Sequence, residues 1–168
     1  MKNIFLIGMM CSGKSTIGKL LSKKLSMSII DIDYDLEQLM DMSITTIFNE
    51  YGEKRFRLIE STYFRECSKN DDFIFSTGGG IVLDSNNQNI LQTRGISFFL
   101  DCSATILIDR LNKQNQGRPL YKNDEDVISL YNNRINLYKR CAHHIIDTNT
   151  LTKQEIVIKI EKLYNENN

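Results

Sequence analysis

The chain has 168 residues and a mass of 19.5 kDa, with 25% charged and 41% hydrophobic residues. That is the balance of a soluble globular domain, which at this length buries roughly 70% of its unfolded surface and needs no disulfide or metal to hold it. Lys plus Arg and Asp plus Glu number 21 each, which argues against bulk binding of nucleic acid or an acidic membrane over a whole face, while allowing a local arginine cluster around one anionic ligand.

Ile4–Ile7 opens the chain as a short apolar run. Gly8 and the polar Ser12–Thr16 cut it off well short of the about 7–15 apolar residues of a signal peptide, so a cytoplasmic protein is expected. No run approaches the roughly 20 apolar residues of a membrane span. Lys14–Leu25 then places Ile17, Leu20, Leu21 and Leu25 at helical spacing, with Lys19, Lys23 and Lys24 on the other face. Ser28–Ile30, Phe73–Ser76, Ile96–Leu100 and His144–Ile146 read as further buried strands. Glu53–Cys67, Ala104–Leu111, Asp124–Arg140 and Lys153–Tyr164 read as helices. Apolar strands alternating with amphipathic helices predict an α/β fold of three layers, a five-stranded parallel sheet flanked by helices, in a single domain over 1–168.

Two intervals break the alternation. Asp33–Asp71 is helical in pattern with no strand, which predicts a helical insertion over one end of the sheet, its main part spanning about 33–61. Asn112–Asn123 has no hydrophobic period and carries Gly117, Arg118 and the only proline, Pro119. A loop of about a dozen residues in a compact domain suggests a functional lid, here about 112–124. Cys11, Cys67, Cys102 and Cys141 form no C-x-x-C pair, and with two His they make no zinc pattern; they read as reduced thiols.

Gly8-Met9-Met10-Cys11-Ser12-Gly13-Lys14-Ser15 fits G-x-x-x-x-G-K-[ST]. Chance would supply that match on the order of once in 150–200 chains of this length, so a strand before it and a helix after it weigh strongly for a nucleoside triphosphate site. Backbone N–H groups of the loop and the helix N-terminus face phosphate oxygens. Lys14 is positioned for the β- and γ-phosphates and the Ser15 hydroxyl for magnesium. The N-K-x-D segment of guanine readers is absent. Asp31 and Asp33 point the same way if their segment is extended. Should that strand lie beside the first, one carboxylate could hold magnesium through water and the other take an acceptor proton. The competing reading makes Asp33 the N-cap of a helix starting near Tyr34.

With these motifs in register, the chain resembles the shikimate kinase family. The resemblance runs from Ile4 to Asp147 through Gly8–Thr16, Asp31-Ile32-Asp33, Gly52–Glu60, Ser76–Gly80, Arg118-Pro119-Leu120 and Arg134–Tyr138. It implies a P-loop kinase fold and ATP-dependent phosphorylation of the 3-hydroxyl of shikimate, with Mg2+ as cofactor and a monomeric state. It implies a substrate pocket of Asp33, Arg57, Gly78, Gly79, Gly80 and Arg134, with catalytic roles for Lys14, Asp33 and Arg118. Nucleotide contacts fall on Cys11, Ser12, Gly13, Lys14, Ser15, Thr16, Arg110 and Arg118, and the metal on Ser15 and Asp31. Arg110 and Asp147–Leu151 would border adenine.

The residue types suit that chemistry. Guanidinium forks match a carboxylate, and three glycines let a ring approach the backbone. Cys11 stands where many relatives have Gly or Ala. The competing readings are a surface ion pair of Arg57 with Glu53 or Glu60 and a solvated helix face for Arg134. Met9, Met10, Phe48 and Phe56 read first as core and second as pocket lining, and His143-His144 as structural. The alternative functions are another small-metabolite kinase, such as a gluconate kinase, or a nucleotide-binding module without catalysis.

Overall fold

Five apolar segments form the centre of the computed structural model, which describes residues 2–114, 120 and 123–167. They are β1 (Asn3–Ile7), β2 (Ser28–Asp31), β3 (Phe73–Ser76), β4 (Gly95–Asp101) and β5 (His144–Asp147), all parallel, in the order β2-β3-β1-β4-β5. Side chains alternate faces along a strand, so a strand buried on both sides is apolar at every position. β1 shows this directly: Phe5 and Ile7 enter one core, Ile4 and Leu6 the other.

The Ile4/Leu6 core is closed by α1 (Lys14–Leu25) and α7 (Lys153–Asn167), through Ile17, Leu21, Ile156, Ile160 and Tyr164. The opposite core takes residues of α2 (Ile32–Met40), α3 (Ile44–Cys67), α4 (Ser85–Thr93), α5 (Ala104–Gln114) and α6 (Asp124–Cys141). Tyr138 of α6 stacks on Phe99 of β4 at 5.0 Å. The expected fold class stands. Among the described residues, no helix is long and apolar enough to cross a membrane.

Several sequence expectations are corrected. The insertion consists of α2 and α3, and α3 begins at Ile44, with Ser43 accepting the Thr46 N–H as its cap. Gly52, at φ 77 and ψ 161, interrupts this helix just before Glu53, where sequence periodicity started it. Asp31 caps α2 by accepting the Tyr34 N–H, so the cap is Asp31, not Asp33. α4 and a 3-10 turn at Ile81–Leu83 lay hidden in Asn-rich, weakly periodic sequence, although Asp84 signals the start of α4 by accepting the N–H groups of Asn86 and Asn87. α5 runs on to Gln114, so the first residues of the expected lid are helical. Apart from Gln114, Leu120 and Asn123, the 114–123 stretch, Arg118 included, lies outside the described residues.

Candidate active site

The loop after β1 leaves the sheet at the carboxyl end of its central strand, where open parallel sheets place ligands. Gly13 takes φ 102 as the N-cap of α1, and Cys11 takes φ 59, a left-handed conformation uncommon for a residue with a side chain. Lys14 is buried, its Nζ donating to the carbonyls of Gly8 at 2.9 Å and Met9 at 2.7 Å. Arg110 of α5 reaches back to the loop and donates to the Cys11 carbonyl at 3.0 Å. Beside the loop, Thr148 joins β5 to β4 through the Asp101 carbonyl, at the edge expected to border adenine.

β3 ends next to this loop. Thr77 donates to the Leu6 carbonyl from both its N–H and its hydroxyl, fixing Gly78–Gly80 against the phosphate loop. The Ser76 hydroxyl is 3.3 Å from that of Ser15, and Ser76 is in register with Asp31 on β2. β3 therefore separates β2 from β1, contrary to the adjacency that would have set both acids beside the loop. The strand also ends at Asp31, so Asp31 and Asp33 do not share an extended face. Asp33 lies in the first turn of α2 and lines the cavity; Asp31 does not.

The cavity holds about 230 Å3 and brings together Lys14, Ser15, Asp33, Arg57, Glu60, Gly78–Gly80 and Arg134. Cys11, Gly13, Thr16 and Leu120 also line it, whereas Ser12 is buried and does not. Arg134 is 5% exposed, which overturns the solvated-face reading of α6 at this position. Arg57 combines both of its readings. It donates to Glu60 at 2.7 Å and to Glu53 at 3.3 Å, and its guanidinium still faces the cavity over the rings of Phe48 and Phe56, at 5.6 and 5.1 Å. Phe48, Phe56 and Met10 are cavity walls rather than core alone; Met9 is core. His143 is structural as expected, its Nδ1 accepting the Ser97 N–H.

Glu60 and Tyr138 are the residues whose place the sequence did not reveal. Glu60 is 1% exposed; one carboxylate oxygen takes the Arg57 bond and the other, Oε1, has no hydrogen-bond partner among the described residues. Burial pushes its carboxyl above the ordinary range, against the downward pull of Arg57, and nearby Asp33 adds to the rise. Burial pulls Arg57 down, but Glu60 and Glu53 outweigh it and the net direction is up. A guanidinium stays charged either way, so the pair changes charge through Glu60. A Cβ on Gly78 would strike Glu60, and one on Gly80 would strike the Arg57 guanidinium. Those two glycines thus make room for this ion pair while their backbone lines the cavity. Tyr138 is fully buried and donates to the Gly79 carbonyl; burial is the main cause that pushes its hydroxyl up to about 12. The signals were present: Glu60 stands one turn after Arg57, and Tyr138 one turn after Arg134.

The donors at the β2, β3 and α1 ends, namely Ser15, Ser76 and Asp31, are hard oxygen ligands. Magnesium keeps most of its shell as water and phosphate and needs only one or two protein oxygens, so this set fits it. Among the described residues no cluster of three or more His, Cys, Asp or Glu could hold a metal ion by itself.

Similarity to known proteins agrees with this arrangement. The shikimate kinase family model matches residues 10–165. A shikimate kinase of Caldicellulosiruptor bescii is 40% identical over 167 residues, covering 98% of this chain and 96% of the relative. The structure of shikimate kinase from Acinetobacter baumannii in complex with shikimate superposes with a TM-score of 0.94 at 29% identity, covering 99% of this chain and 94% of that one. A gluconokinase from Sinorhizobium meliloti reaches a TM-score of 0.63 at 12% identity, a likeness of fold alone. The chain belongs to the shikimate kinase family.

Proposed function

We propose that this site transfers the γ-phosphoryl group of ATP to the 3-hydroxyl of shikimate, giving shikimate 3-phosphate. The observation that carries the reading is the joining, in one cavity, of the phosphate-loop Lys14 with Asp33, Arg57 and Arg134. Shikimate presents one carboxylate and three ring hydroxyls. Arg57 and Arg134 pair with the carboxylate, and Gly79 supplies main-chain contact. That leaves the opposite side of the ring toward Asp33, which accepts a hydrogen bond from the 3-hydroxyl and orients its oxygen in line with the γ-phosphate.

On the other side, the N–H groups of Cys11, Ser12, Gly13, Lys14, Ser15 and Thr16 hold the phosphates. Lys14 leaves the Gly8 and Met9 carbonyls and turns its ammonium to the β–γ bridge, where charge grows as the phosphoryl moves. Ser15 and Asp31 would hold Mg2+, which would neutralise phosphate charge when bound. The family resemblance gives Arg118 the role of the lid arginine, and Arg110 shapes the phosphate loop through the Cys11 carbonyl. Asp33 receives the hydroxyl proton as the bond to phosphorus forms. The whole chain, 1–168, acts as one kinase domain, cytoplasmic and monomeric.

A coupled assay of ADP release with shikimate, gluconate or no acceptor tests the reading. Release only with shikimate is the expected result. Release with gluconate would make it a different metabolite kinase, equal release in all three arms a nucleotide hydrolase, and no release in any arm a nucleotide binder without catalysis.

A further inference from the structure

Behind the wall formed by Arg57 and Gly80 lies a second cavity of about 640 Å3, between α3 and the 3-10 turn. Its volume falls in the range of about 300–1,000 Å3 typical of small-molecule sites. Lys54, Arg55, Leu58, Ser61 and Arg65 reach it from one face of α3, and Leu83 and Asp84 from the turn opposite.

Its charge is one-sided. Lys54, Arg55 and Arg65 have no carboxylate partner among the described residues. Arg65 only donates to the Ser61 carbonyl and, at 3.5 Å, to the Thr62 hydroxyl. Asp84, the acid in this wall, keeps its charge but is turned to the N–H groups of Asn86 and Asn87 rather than to any of these cations. In a chain of zero net charge, three cations set against the single carboxylate of Asp84 leave this cavity with a net positive field.

The cavity also carries a buried polar group with a proton to give. Ser61 is 5% exposed, and its hydroxyl oxygen accepts from Asn87 Nδ2 at 2.9 Å. Its own O–H has no acceptor among the described residues, and neither does Asn87 Oδ1 have a donor. Leu58 and Leu83 add apolar surface, about half exposed. Cations, a buried hydroxyl donor and apolar walls together describe one ligand class.

We propose that this cavity is a second binding site, for a small organic anion carried on an apolar ring, and that it communicates with the acceptor pocket through Arg57. The Arg57 guanidinium is already shared between Glu53 and Glu60. An anion behind it competes for the same charge and draws it away from an acceptor carboxylate. By linkage, the acceptor weakens the second ligand by the same factor. This communication rests on the acceptor reading above; the binding itself does not.

Isothermal titration of the full chain with isophthalate tests it, with inorganic phosphate and neutral benzamide as comparison ligands. Isophthalate is expected to bind saturably and more tightly than phosphate, while benzamide gives no saturable heat. The double variant Lys54→Gln/Arg65→Gln should weaken isophthalate at least about tenfold, the loss expected for charge-assisted bonds. Arg134→Gln, which removes a charge from the acceptor pocket and none from the lining of the second cavity, should change that binding less than about threefold, and saturating shikimate should weaken it severalfold. Binding lost in Arg134→Gln but kept in the double variant would overturn the proposal by assigning the anion to the acceptor pocket. Isophthalate affinity indifferent to shikimate would overturn the communication. Failure of wild type to bind shikimate would instead defeat the acceptor reading, while the double-variant comparison would still decide the second site.

Discussion

The phosphate side and the acceptor side of the cavity are built by different means. The phosphate side is contiguous main chain, Gly8–Thr16, set by β1 and α1, and its one buried charge, Lys14, rests on carbonyls of its own loop. The acceptor side is assembled from side chains of α2, α3 and α6 that meet only through folding: Asp33, Arg57, Glu60, Arg134 and Tyr138. Main-chain recognition of phosphate needs a backbone path, which a short motif encodes. Side-chain recognition of a small acid needs buried charges held at fixed positions, which packing and ion pairing provide. The first half should therefore break in turnover, and the second in acceptor selection.

The largest break is expected at Lys14. Lys14→Met removes the charge aimed at the transferring phosphoryl group and should lower kcat by at least about a thousandfold. Shikimate affinity, measured by calorimetry, should change little, because the acceptor charges are untouched. Turnover close to wild type would overturn the phosphate-side assignment. Asp33→Asn comes next, since Asp33 belongs to the acceptor side yet meets the reacting hydroxyl. A fall of about a hundredfold in kcat, the scale of a positioned acid–base group, should accompany nearly constant ATP affinity. Survival within threefold would leave Asp33 a first-turn acid of α2 and nothing more.

The same contrast explains what could be seen in the sequence. The phosphate side was legible from Gly8, Gly13, Lys14 and Ser15 alone, since spacing fixes a local loop. The strands were legible for the same reason: Phe5 and Ile7 must enter one core if Ile4 and Leu6 enter the other. On the acceptor side, residue types without positions left Arg57 divided between a surface ion pair and a pocket. In the structure the ion pair and the pocket wall are the same guanidinium. Glu60 was hidden because a glutamate one turn from an arginine is ordinary on an exposed helix. Only the close approach of Gly78 and Gly80 reveals that it is buried. α4 was missed because Asn-rich sequence has little helical period, and its cap and tertiary packing override the weak propensity.

Arg57→Lys sharpens the comparison within the acceptor side. Lysine keeps the charge but loses the fork that meets two carboxylate oxygens. Losing a charge-assisted bond of about 1.5–3 kcal/mol corresponds to roughly a 10- to 150-fold rise in the shikimate KM. The ATP KM should stay nearly constant. An analogue with a neutral group in place of the carboxylate should bind wild type weakly and barely register the substitution. Equal weakening of both ligands would show that Arg57 shapes the cavity without meeting the carboxylate.

The smallest expected effect tests whether burial or pairing governs the acceptor side, and it is read in stability rather than rate. Burial raises the Glu60 carboxyl above its ordinary value of 4.5, more than Arg57 lowers it. Between the unfolded value and that raised folded value, the folded chain binds more protons at this position than the unfolded chain does. The stability contributed by the protonated group is therefore fully present below about pH 4.5 and is lost as pH rises through the folded pKa. Glu60→Gln removes the titration while keeping the shape. The stability of wild type minus that of Glu60→Gln, from urea unfolding at a series of pH values, should thus fall as pH rises from about 4.5. One proton sets its slope at no more than about 1.4 kcal/mol per pH unit. Acids that are not coupled to Glu60 titrate alike in both proteins and cancel in the difference. A difference that instead grew with pH would mean that the Arg57 guanidinium outweighs burial, and that the acceptor side holds a fully charged pair before any substrate arrives.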